Sequence, residues 1–192
     1  MSEELTFQIG QWMNNWKINY TSLSKMSATI DIYEMILKDE FTDTDHWYGN
    51  GGSDVNYRLS KFTHNDWQHL KEDLINWKDN QLEILSLILT TSDDYFTIED
   101  IKAFKSYKSE CFLFILTICN DDQFIDLISE IHFIKLHENR NLEQLQTVYS
   151  RLASLEHAPV VENEKSNEYY YTRKSYNEFV EIINTAIQQI TG

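Results

Sequence analysis

Apolar residues return along this chain at the spacing of a helix face for most of its length. Leu5, Ile9, Trp12, Met13 and Trp16 keep that period, as do Leu23, Met26, Ile30, Tyr33, Ile36 and Leu37. They predict two amphipathic helices, roughly Glu4 to Trp16 and Ser22 to Lys38. The period then stops. Residues 39–62 hold Asp39, Glu40, Asp43, Asp45 and Asp54 with Trp47, Tyr48, Gly49, Gly51 and Gly52. That mixture predicts a long loop, and loops of such length in a compact domain are often functional.

The helical pattern resumes at Thr63, which stands three residues before Asp66 as in a capping box. The helix it opens carries Trp67, Leu70, Leu74, Ile75 and Trp77, with a break expected near Lys78 to Asn80. A strongly apolar piece from Leu82 to Leu89 follows and stops at Ser92-Asp93-Asp94. Thr97 with Asp100 has the same box spacing, and its helix is expected to run to about Cys119. Asn120-Asp121-Asp122 reads as a further stop and cap, with a helix continuing to about Glu138 and another over Leu142 to Leu155. Residues 158–171, with the sole proline Pro159, form a second expected loop. Ser175 with Glu178 is a capping box predicted to start the last helix. Leu82 to Leu89 and Phe112 to Ile118, each followed by a polar stop, echo one another as a helical repeat would. Two buried helices with similar stops explain the echo as well.

Composition sharpens this picture. Five glycines and one proline in 192 residues suit long helices and short connections. An all-β chain needs more turn residues. The expectation is a single all-α domain over residues 1–192, of about seven mostly antiparallel helices with loops at 39–62 and 158–171. No apolar run approaches the ~18 residues of a membrane span, and the acidic start lacks a signal-peptide core. Cys111 and Cys119 lie on one predicted helix, separated by about 12 Å of rise, too far for a disulfide. They are expected to be reduced, buried residues of a cytoplasmic protein.

Charge narrows the function classes. With 31 Asp and Glu against 16 Lys and Arg, the net charge is −15. Such a chain lacks the basic footprint that nucleic-acid binding requires and favours cationic partners. Motifs for chemistry are missing from the sequence. None of His46, His64, His69, His132, His137 and His157 pairs at the i, i+4 spacing of a helical zinc site, and His132 sits in an apolar run where a hydrogen-bonded core residue is expected. Neither phosphate-cradling glycine motif occurs. Asp43, Asp45 and Asp54 occupy the first, third and twelfth places of a calcium-type loop. Tyr48 stands where the glycine belongs, and Asp54 where a glutamate does. Apolar neighbours around both cysteines argue against a thiolate nucleophile. Asp93-Asp94 and Asp121-Asp122 sit where helices start or stop, a capping role. No metal or cofactor is therefore assigned, and an enzyme is not expected.

The remaining signal is acids beside aromatics. Asp43, Asp45, Trp47, Tyr48 and Asp54 share one segment, Asp93 and Asp94 another, and Glu162, Glu164, Glu168 and Tyr170 a third. Tyrosine and tryptophan anchor interfaces while acids steer a basic partner to them. These residues are the candidate partner-binding set, although Trp47 and Tyr48 serve equally well folded back over core. In size, acidity and helical content the chain resembles the immunity proteins of bacterial toxin–immunity systems. The resemblance implies a cognate basic toxin partner, often a nuclease, and carries no residue correspondence. A helical scaffold for another protein, and a metal-dependent enzyme using its carboxylates, are the alternatives.

Overall fold

The structure, a computed structural model, describes residues 27–91, 99–138, 141–162 and 171–192. Every regular element among them is helical. In chain order these are α1 (Ser27–Asp39), α2 (Thr44–Tyr48), α3 (Asn50–Leu59), α4 (His64–Leu74), α5 (Asp79–Thr90), α6 (Ile101–Ile118) and α7 (Asp121–Leu127). A 3-10 helix (Ile128–Phe133) continues α7, and α8 (Leu142–Ser154), α9 (Pro159–Glu162) and α10 (Arg173–Thr191) complete the set. The predicted helix over 4–16 lies outside the described residues, as do the first five residues of the one predicted from Ser22.

The core follows from which helices are apolar on more than one side. In α5, Leu82, Ile84, Leu85, Ile88 and Leu89 are all buried, more than a single amphipathic stripe supplies. It packs accordingly against α1, α2, α3, α6, α7 and the 3-10 helix. α6 extends the core through Phe104, Cys111, Phe112, Leu113, Ile115 and Leu116 and meets α4 and α8, with α10 laid on α8. The two segments that echo one another in sequence are thus neighbours in space. Trp77, in the break between α4 and α5, is buried and meets Tyr33 edge-on at 4.9 Å.

Helix starts test the capping readings one by one. At α4 both reciprocal bonds of the Thr63 box form: the Thr63 N–H donates to Asp66 Oδ2 at 2.8 Å and the Asp66 N–H to Thr63 Oγ1 at 3.3 Å. Asn120 caps α7, accepting from the Gln123 N–H at 2.9 Å. The other two boxes are corrected. Asp100 is itself the N-cap of α6, accepting from the Ala103 N–H at 2.9 Å; Thr97 lies outside the described residues. α10 starts at Arg173, capped by Thr172, and Ser175 takes the place normally filled by a longer acceptor side chain. Its hydroxyl receives the Thr172 N–H at 2.6 Å, a bond short enough for serine to close from the third position.

Further expectations are overturned. Residues 39–62 are not a loop but carry α2 and α3. Asp43 opens α2 by accepting from the His46 N–H at 3.1 Å, and the glycines allow the next helix to fold back on it. A Cβ at Gly52 would stand 2.0 Å from the Trp47 carbonyl oxygen, an approach open only to glycine. The helix predicted to reach Glu138 ends at Leu127 and tightens into the 3-10 turn. With three residues per turn, Ile128 and Ile131 stay buried while His132 and Phe133 are thrown outward. His132 is therefore a surface residue, 3.9 Å from the Glu178 carboxylate, and not part of the core. The second expected loop begins as α9, whose Val161 is fully buried.

Candidate functional site

The residues singled out from sequence separate sharply once placed. Trp47 is 3% exposed, so its ring belongs to the core and is not available to a docking partner. Asp43 is exposed but already serves as the α2 cap, and Asp45, in the first turn of that helix, favours its dipole. Asp54 is exposed on α3, and the calcium-loop reading falls because helices occupy the segment. Among the described residues no group of three or more His, Cys, Asp or Glu is arranged to hold a metal. Tyr48 keeps 53% of its surface open. Asp93, Asp94, Glu164, Glu168 and Tyr170 lie outside the described residues, and of Glu162 only the backbone, ending α9, is described.

The structure assembles a different acidic surface from residues outside the partner-binding set read from the sequence. α5 and the α7 to 3-10 segment run side by side in the same direction. Gln123 Nε2 donates to the Asp79 carbonyl at their starts, and Thr90 Oγ1 to Glu130 Oε2 at 3.2 Å near their ends. Between these rungs Glu83 and Asp126 face one another. Burial raises the Glu83 pKa and the Asp126 charge raises it further. Asp79, Glu83, Asp122 and Asp126 are exposed and Glu130 is half-buried. Asp79 and Glu83, and Asp122 and Asp126, stand four apart, so each pair shares a helix face and repels its own member.

Aromatic surface closes one end of this strip. Tyr48 from α2 and Phe133 from the 3-10 helix, the latter 70% exposed, border a groove of about 490 Å³ with Glu130, Thr90 and Asn56. Burial raises the Tyr48 pKa, and the Glu130 charge adds to it. Asn56 is fixed at the groove base, its Nδ2 donating to the Ile88 carbonyl and to Thr91 Oγ1, each at 3.1 Å. Glu83, Asp126 and Glu130 could have been found in sequence only by attending to the polar face of helices read for their apolar one. That Glu130 and Tyr48 line one groove requires the fold.

Elsewhere three acids have a cationic partner. Lys71 pairs with Glu110 in a nearly buried contact, Arg151 with Asp121 at 2.7 Å, and Arg173 with Glu156 at 3.6 Å. Cys111 and Cys119 are free and buried. Burial pushes the Cys111 thiol up to about 12, against the opposing pull of Lys71, and raises Cys119 against that of Arg151. No described helix is long and apolar enough to cross a membrane. No protein-family model, curated protein or solved structure matches this chain.

Proposed function

We propose that this protein is an immunity or inhibitor protein that acts in the cytoplasm, binding and neutralising a cognate basic toxin domain through an acidic and aromatic surface. It is a binding protein in this reading and not an enzyme. The observation that carries it is the exposed strip of Asp79, Glu83, Asp122 and Asp126, which continues through Glu130 to the open rings of Tyr48 and Phe133. Carboxylates crowded along one surface repel one another and cost folding free energy. A partner that supplies lysine and arginine recovers that cost on binding. The aromatic end supplies contact area of the kind that dominates dissociation. A nuclease with a basic substrate groove has the complementary charge.

Capture of the product of the adjacent gene from the native host is the first test. Association kinetics with that product at two salt concentrations are the second. In this reading association is fast and slows with added salt. Glu83→Lys with Asp126→Lys lowers the association rate about tenfold or more, Tyr48→Ala raises the dissociation rate, and Asp43→Lys with Asp45→Lys has the smaller effect on association. Unchanged kinetics in the Glu83/Asp126 variant, or an acidic partner bound independently of salt, sinks the proposal.

A further inference from the structure

The groove at the aromatic end of the strip presents acceptors and ring faces to a ligand. Tyr48, Asn56, Glu130 and Phe133 line it. Asn56 is 1% exposed, and its Nδ2 is spent on the Ile88 carbonyl and Thr91 Oγ1. Its Oδ1 is buried and has no hydrogen-bond partner among the described residues. A buried acceptor left without a donor is costly. Exchanging the two amide atoms gives no relief, because only the NH2 group can donate to the Ile88 carbonyl.

The neighbouring polar groups are short of donors in the same way. The Thr90 hydroxyl has one proton and three acceptors in reach: the Leu87 carbonyl at 3.0 Å, and the Ser86 carbonyl and Glu130 Oε2, each at 3.2 Å. Glu130 therefore has only a share of that bond. No described lysine, arginine or histidine stands within ion-pair distance of it. The Thr91 hydroxyl turns its proton inward, to the Ile88 carbonyl at 2.8 Å. Residues 92–98, which follow Thr91 in the sequence, contain Asp93 and Asp94 and no lysine, arginine or histidine. Burial, and then the Glu130 charge, raise the Tyr48 pKa, so the carboxylate and this ring are near enough to act on one ligand.

Acceptors beside two open rings call for a donor that is both cationic and flat. A guanidinium has five N–H groups in one plane, meets a carboxylate through two parallel bonds and stacks on aromatic faces. An ammonium is a compact, strongly hydrated point charge without a face to stack. We infer that the Tyr48–Glu130–Phe133 groove seats an arginine side chain of the partner protein, its guanidinium paired with Glu130 above Asn56 and its plane against the open rings. This names the partner's anchoring group and rests on the inhibitor reading.

The test is an NMR titration of the full chain with acetyl-arginine amide, acetyl-lysine amide and free arginine, at constant ionic strength. Capped arginine should move the Tyr48, Asn56 and Phe133 signals saturably and bind about fivefold or more tighter than capped lysine. Glu130→Gln should weaken it by about fivefold or more, and Phe133→Ala by about threefold. Both variants should keep the Tm of the unaltered protein, since Phe133 is 70% exposed and Glu130 holds one shared bond. Free arginine, whose carboxylate meets an acidic surface, should bind more weakly than the capped form. Shifts that do not saturate, equal affinity for capped lysine, or unchanged affinity in Glu130→Gln overturns the site. Tighter binding of free arginine overturns a protein source for the guanidinium. These outcomes are separate from those of the partner kinetics: a basic partner whose association slows with salt upholds the inhibitor reading even where the groove fails to select arginine.

Discussion

The α2–α3 elbow and the α5–α7 strip are both acidic, and they use their acids in opposite ways. In the elbow Asp43 closes a helix end, Trp47 is sealed into the core and Gly52 lets two backbones meet. Take any of these away and the fold loses something. Along α5 and α7, the Asp126 charge adds to burial in raising the Glu83 pKa, so this pair works against the fold. The same residue type is therefore structural in one place and surplus in the other. What distinguishes the two is whether the acid has a partner within the chain. Surplus charge retained at a surface is the better guide to an external partner.

Substitutions can break this comparison. The largest effect is expected from Trp47→Ala, which empties a buried ring site and should destabilise by about 3–5 kcal/mol in urea denaturation. Trp47 Nε1 has no hydrogen-bond partner among the described residues, so Trp47→Phe should cost much less. If Trp47→Ala unfolds no more easily than the unaltered protein, the ring is not core. Gly52→Ala comes next, at about 3 kcal/mol, because the added methyl meets a carbonyl and not a flexible side chain.

The alkaline limit follows. The Cys111 pKa is raised from 9.0 to about 12 in the fold, so between these values the folded state holds a proton that the unfolded state has released. Stability falls as pH rises through that window and is unaffected below it. Cys111→Ala should flatten the fall; an identical alkaline profile in that variant would contradict the assignment. Asp43→Ala should cost about 1 kcal/mol through loss of the cap.

The smallest effect sharpens the contrast most. Asp126→Asn should leave stability at neutral pH within about 0.5 kcal/mol, in the direction of a gain. It should also move the Glu83 titration, followed by NMR, toward lower pH. A clear loss of stability would mean that Asp126 has a structural partner after all, and the surplus argument would fail at its centre.

Several features of this fold were legible in the sequence. The apolar period marked α4 and α8 and the region of α6, and Thr63–Asp66 and Asn120 announced their helices because a cap is a contact between residues three apart. The cysteines were legible for the same reason: their apolar neighbours along the helix foretold burial. Short-range chemistry of this kind is written locally, so pattern suffices. The elbow was not legible. Gly49, Gly51 and Gly52 have the composition of a loop, and only the approach of Gly52 to the Trp47 carbonyl explains why glycine is there. His132 failed likewise, because the change from α to 3-10 geometry rotates every later side chain and no local residue signals it. Acidity as a property of the whole chain was plain from composition alone. Which acids stand unopposed was decided by the packing of α5 against α7, since Glu83 and Asp126 are far apart in sequence and repulsion depends on distance in space.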